Sequence, residues 1–324
     1  MQKVSEGVYQ LDIPMRFNPL GCTHSYLLRD AAALIDTGVG TNDAYEALEE
    51  QLGSVGLATS DIEHVVLTHL HRDHVGLVER VRSASGAVVH AHRSAVELQR
   101  KAVEAESGGS GGHADELRLL GGGRYISMLG RFEGAVRRPR LTVDIDEPHD
   151  DGDTIGLKGS ELRVLWTPGH SPEHICLYDA EKGLLYSGDH VLPRITSHVS
   201  LHSHEGGDPL RDYLDSLERL RGLPVKAVLP AHEYIFQDLE GRISALELHH
   251  LIRCDEVKAA LGEGEKTVFQ VATAVSWDSQ PWPRMRFWTK RMAAAETLAH
   301  LVYLRNRGEV GEEQRKGVLY YGLK

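Results

Sequence analysis

Cysteine is scarce in this chain: Cys22, Cys176 and Cys254 stand far apart in 324 residues. An odd number at that spacing excludes a disulfide framework and a Cys-x-x-Cys zinc site, leaving free thiols as the expectation. Positive charge is short as well, with 36 Lys and Arg against 47 Asp and Glu, a net of −11. Such a balance argues against a protein built mainly to grip phosphate backbones. No apolar run is long enough to span a bilayer, and the opening Met1-Gln2-Lys3-Val4-Ser5-Glu6-Gly7 lacks the apolar centre of a secretory signal. The expectation is a cytoplasmic protein without membrane contact.

What the chain has is histidine, concentrated in Thr68-His69-Leu70-His71-Arg72-Asp73-His74. The preceding His64-Val65-Val66-Leu67-Thr68 is short, β-branched and apolar, which predicts a buried strand ending where the cluster begins. The cluster then falls on a strand-end loop, where alternate side chains can be aimed at one point. Imidazoles with a carboxylate suit a borderline-soft ion such as zinc, and the same donors accept iron or manganese. Around this loop the sequence predicts strands within 4–13, 25–36 and 87–90, and helices over 42–53 and 75–83, with Asn42 or Asp43 capping the first. Strands at 162–165, 175–178, 184–187 and 227–229 follow, with a helix near 210–221.

His69-x-His71-x-Asp73-His74 resembles the mark of the metallo-β-lactamase superfamily. Three later strings extend the resemblance in the family's order: Thr167-Pro168-Gly169-His170-Ser171-Pro172, Ser187-Gly188-Asp189 and Pro230-Ala231-His232. It covers about residues 1–240 and implies an αββα sandwich of the α/β class. Carried over residue by residue, it implies one metal site of His69, His71 and His170 and a second of Asp73, His74 and His232, with Asp189 bridging two divalent ions. Asp36, after the strand Ala33-Leu34-Ile35, would steady backbone or a ligand histidine. The implied activity is hydrolysis by a metal-bridged hydroxide, with Asp73 also orienting it and moving a proton. Asp189 stands where the commonest zinc β-lactamases carry cysteine. That points to a small ester, thioester or lactone as substrate, with a phosphodiesterase or nuclease as the alternative.

Other features leave choices open. His24, His174, His190, His198, His202 and His204 lie outside the motif, and each is either structural or able to line a pocket or steady a ligand. Residues 94–145, with glycine runs at Ser107–Gly112 and Gly121–Gly123, read as an insertion serving either as a lid or as a tolerated surface loop. Residues 241–324 read as helices at 242–260, 267–274 and 292–306 and a strand at Val318–Tyr321, which resembles the winged-helix appendage of a subgroup that includes human mitochondrial endoribonuclease-like proteins. The basic and aromatic run Trp282–Arg291 admits a third reading, a non-catalytic nucleic-acid-binding regulator. The weak charge of residues 241–324 as a whole, 13 basic against 10 acidic residues, favours packing, and a small-molecule partner is expected over nucleic acid. A homo-oligomer is compatible with the composition.

Overall fold

In the computed structural model, which describes residues 1–16, 18–107, 113–126, 142–201, 206–277 and 280–324, the chain forms two compact units. The first gathers residues 1–102, 140–197 and 216–243, and the second gathers 103–139, 198–215 and 244–324.

The first unit holds two sheets. In one, β1 (Gln2–Ser5), β2 (Val8–Pro14), β3 (Cys22–Leu28), β4 (Ala33–Ile35), β5 (His64–Val66), β6 (Val88–His92) and β7 (Glu147–His149) lie side by side in chain order. The pairing is antiparallel up to β4 and parallel from β4 to β7. The other contains β8 (Thr154–Leu157), β9 (Ser160–Trp166), β10 (Ile175–Asp179), β11 (Leu184–Gly188) and β12 (Ala227–Pro230), in the order β12-β11-β10-β9-β8. Only β12 runs parallel to its neighbour there.

Side chains on successive strand residues point to opposite faces, and the sequence uses both. Leu27, Leu34 and Val65 face a core completed by Leu48 and Leu52 of the helix Asn42–Ser54 and by Val78 and Val81 of the helix Val78–Ser85. Their neighbours Tyr26, Leu28, Ile35 and Val66 turn inward to meet Leu162, Val164, Ile175, Leu177, Tyr186 and Leu229 of the second sheet. Each such burial contributes about 1.5–3 kcal/mol, so the alternation stabilises both interfaces at once. Against the second sheet lies the end of the helix Pro209–Leu220, where Ser216 Oγ donates to the Pro168 carbonyl at 2.9 Å. The result is the αββα sandwich. The first helix is capped by Thr41, whose hydroxyl accepts from Ala44 N–H at 3.3 Å, and not by Asn42 or Asp43. Thr41 is the extended residue one position earlier, while Asn42 and Asp43 are engaged by Arg80 and Arg16.

In the second unit the helix Leu239–Leu261, from Ser244 onward, precedes β13 (Lys266–Thr267), the helices Val268–Ala274 and Phe287–Asn306, β14 (Val310–Arg315) and β15 (Val318–Leu323). The three strands form an antiparallel sheet in the order β13-β15-β14. Trp282, Met285 and Phe287 are buried and Trp288 is half-buried, so two of the three aromatic residues of the 282–291 run are core. Residues 113–126 pack within this unit. Glu116 pairs with Arg291 at 2.6 Å, and a Cβ on Gly121 or Gly122 would stand 2.4 Å from Thr267 Oγ1 or 2.5 Å from the Phe269 ring. That glycine pair permits close approach of chain segments. Residues 108–112 of the other glycine run lie outside the described residues.

Candidate metal centre

The loops that follow β4, β5, β9, β11 and β12 carry the residues singled out in the sequence. Ligand atoms of His69, His71, His170 and Asp189 all lie within 4.8 Å of one another, and so, as a second group, do those of Asp73, His74 and His232. Asp189 joins the groups: its Oδ2 is 3.5 Å from His170 Nε2, and its Oδ1 is 3.6 Å from His74 Nε2 and 3.4 Å from His232 Nε2. His232 Nε2 is in turn 3.6 Å from Asp73 Oδ2. These separations are too long for good hydrogen bonds, yet the atoms face one another.

Hydrogen bonds around the rings decide which nitrogen is left over. Thr68 Oγ1 donates to Asp36 Oδ2 at 2.7 Å, so its contact at 3.0 Å with His69 Nδ1 must be a bond donated by the imidazole. His74 Nδ1 donates to the same Asp36 oxygen at 2.7 Å, and His232 Nδ1 donates to the Cys22 carbonyl at 3.0 Å. Every one of these assignments leaves the Nε2 lone pair directed inward. Among the described residues, His69 Nε2, His74 Nε2, His232 Nε2 and Asp189 Oδ1 are buried without a hydrogen-bond partner. An unmet buried polar group costs about 1–3 kcal/mol, and four in one place need a cation to offset them. His71 Nδ1 and His170 Nε2 face each other at 2.9 Å beside them. The donor set therefore fits divalent metal.

Electrostatics agree. Burial, reinforced by His74, His71 and His170, pushes His69 well below the usual imidazole range, so it is a neutral donor. Burial opposes ionisation of Asp189, but the charges of His74, His232 and His170 override it and hold the carboxyl well below its usual range. His74 is also buried, and Asp189 and Asp36 on either side raise its pKa. A proton on His74 thus occupies the role a metal would take, and metal binding must release it.

The backbone around the ligands is built for close approach. Gly188, at φ 49°, precedes the shared aspartate, and a Cβ there would stand 2.6 Å from His174 Nε2. His174 accepts from the Asp189 N–H at 3.2 Å and is held through Nδ1 by Thr167 Oγ1 at 2.9 Å, so it orients the aspartate from behind. His190 is fully buried, pushed down to about 3 by that burial, and belongs to neither ligand group. His24 joins Asp12 at 2.9 Å and donates to the Glu233 carbonyl at 3.1 Å. Despite burial, Asp12 raises its pKa to about 9, and the pair braces the chain next to His232. His198 pairs with Glu296 at 3.3 Å within the second unit, and His202 and His204 lie outside the described residues. Sequence reasoning missed Glu173, a carboxylate only 2% exposed whose Oε1 accepts from Leu70 N–H at 3.0 Å. Nothing in its spacing separates it from a surface glutamate.

The family model for the metallo-beta-lactamase superfamily matches residues 20–232. A probable metallo-hydrolase of Bacillus subtilis, YqjP, is 31% identical over 305 residues, covering 92% of each chain. An atrochrysone carboxyl ACP thioesterase of a Cryptosporiopsis species is 25% identical over 282 residues, 82% of this chain and 70% of that one. The crystal structure of a beta-lactamase domain protein from Burkholderia ambifaria is 26% identical, with a TM-score of 0.85 over 99% of this chain and 94% of that one. The matched segment contains every residue of the two ligand groups, and the likeness to YqjP runs nearly end to end: the chain belongs to the metallo-beta-lactamase superfamily.

Proposed function

We propose that the protein is a binuclear hydrolase of a small ester, thioester or lactone. The observation that carries this reading is the convergence of seven donors in two groups joined by Asp189, four of whose inward atoms, His69 Nε2, His74 Nε2, His232 Nε2 and Asp189 Oδ1, are buried without a hydrogen-bond partner among the described residues. His69, His71 and His170 would hold one divalent ion, Asp73, His74 and His232 the other, with Asp189 common to both. Zinc is the first expectation for this donor set, with iron or manganese as alternatives. When bound, such ions supply Lewis acidity and lower the pKa of water at the site.

The chain's own groups do the rest. Asp73, on the single helical turn Arg72–Val75, is partly open to solvent, and so can take a proton from the attacking water and return it to a leaving group. Asp36 and Thr68 keep His69 and His74 in the tautomer that offers Nε2 inward. The acyl-substrate class is supported by three features: a carboxylate at 189 in place of a thiolate, an acidic body, and the thioesterase named among the relatives. The division into a catalytic region 1–240, with a selecting insertion at 94–145, and a winged-helix-like region 241–324 is part of the same proposal. The order helix, strand, helix, helix and two strands in the second unit supports its last element.

A panel of thioesters, lactones, esters and phosphodiesters, run on protein of measured metal content, tests the reading. About two ions per chain and turnover of an acyl substrate are expected. Turnover confined to phosphodiesters, or a metal content near zero after loading, overturns it.

A further inference from the structure

Two segments that build the first ligand group are joined edge to edge. The Ile175 N–H donates to the Thr68 carbonyl at 2.9 Å, and two residues after Thr68 and two before Ile175, Leu70 N–H donates to Glu173 Oε1 at 3.0 Å. Leu70 lies between His69 and His71, while Glu173 lies three residues after His170. The second tie is therefore the one that spans the histidines themselves. The loop from 167 to 174 is closed on itself by Thr167 N–H to the His174 carbonyl at 2.9 Å and His174 N–H to the Ser171 carbonyl at 3.3 Å. A pull at Glu173 is thus felt at His170.

The tie is made by an unusual group. A backbone carbonyl or a serine could accept the Leu70 proton, yet the position holds a buried carboxylate whose Oε2 has no hydrogen-bond partner among the described residues. Ionised carboxylates are costly to bury with one neutral donor unless positive charge is close. Its charge reaches His71, and a cation held by the neighbouring histidines would supply what is missing.

We infer that Glu173 is a positioning residue of the first metal site: by holding Leu70 N–H it fixes the His69–His71 segment against the His170 loop. It touches neither substrate nor ligand nitrogen in this role. The inference rests on the proposed binuclear reading, and the test separates the two.

Zinc binding to full-length metal-free wild type, Glu173→Ala and Glu173→Gln is followed by competition with a chromophoric chelator. Cobalt(II) absorption reports the ligand field, and thermal unfolding of the metal-free proteins reports the fold. Glu173→Gln retains an acceptor oxygen for Leu70, whereas Glu173→Ala removes it. The expected result is one zinc step weakened about 10- to 100-fold in the alanine variant, with an altered cobalt spectrum, the other step unmoved and the glutamine variant, which keeps the acceptor but loses the charge, weakened clearly less than alanine. Wild-type affinities and spectrum in Glu173→Ala overturn the inference while leaving the binuclear reading intact. Equal weakening of both steps in proportion to a lowered unfolding temperature, or a loss in Glu173→Gln as large as in alanine, overturns it too. Wild-type protein that takes up no zinc or cobalt overturns both.

Discussion

Asp36 adopts left-handed backbone at φ 56°, a conformation that Asp and Asn tolerate better than other non-glycine residues. Its carboxylate accepts from Thr68 N–H at 2.9 Å, from the Thr68 hydroxyl and from His74 Nδ1, while its carbonyl accepts from Ser25 Oγ at 2.6 Å. One residue thus sets a strand end and the tautomers of two histidines of the candidate site. Asp36→Asn keeps the backbone preference and the size but loses the second charged acceptor. Metal affinity should fall about 10- to 100-fold, as for other partners of ligand histidines, with far-ultraviolet circular dichroism unchanged. Wild-type zinc affinity in a chelator titration would rule the role out. Asp36, like the seven ligand-type residues, stands out in the sequence through the resemblance of its string to the superfamily's, and strand pattern and spacing alone would leave it a strand-end turn. Glu173 does not stand out, because its partner Leu70 lies 103 positions away. The meaning of His174 likewise depends on a backbone N–H fifteen residues on.

The strands read best where both faces are buried, as in β5 and β10, since a continuous apolar run has few other uses. Edge strands read worst. β7 (Glu-Pro-His) and β14 (Val-Gly-Glu-Glu-Gln-Arg) bury little, so their pairing comes from neighbours and not from their own pattern. Strand register also creates a feature that no local pattern contains. Across β5, β6 and β7, His64 Nδ1 meets His90 Nε2 at 3.1 Å and His90 Nδ1 meets His149 Nε2 at 3.0 Å. Burial first, and then His149 and His64, push His90 down to about 4, with only Asp146 acting the other way. The fold therefore favours neutral His90. Its contribution is complete above an unfolded pKa of about 6.5 and is lost as pH falls from there through about 4. Replacing His90 by Gln removes the titrating group, and unfolding free energies from urea titrations should then fall less steeply between about pH 7 and about pH 4.5, by on the order of 1–3 kcal/mol. Parallel pH profiles for the two proteins would show that this ring does not titrate with unfolding.

At the scale of the molecule, the helices at 242–260, 267–274 and 292–306 were legible from apolar spacing, but the composition of the second unit was not. It recruits residues 113–126, whose anchors Glu116, Gly121 and Gly122 meet residues at 267–291, more than 140 positions away. The sequence left open whether the basic run at 282–291 reads nucleic acid, and the structure bears on that choice. Trp282 and Phe287 are buried, so they cannot stack on bases, and Arg291 is committed to the buried Glu116. Arg284 and Arg286 remain exposed, a small footprint for a polyanion. Residues 1–240 carry 23 Lys and Arg against 37 Asp and Glu, so the long-range field opposes nucleic acid at low salt, where attraction would otherwise be strongest. Fluorescence anisotropy with labelled RNA and duplex DNA should accordingly give no binding tighter than the non-specific range of roughly 10⁻⁴ to 10⁻⁶ M at physiological salt. Arg284→Glu and Arg286→Glu should leave turnover of an acyl substrate unchanged. Tight, salt-sensitive binding abolished by either substitution would instead make the second unit a nucleic-acid reader and move a phosphodiester to first place among the substrates.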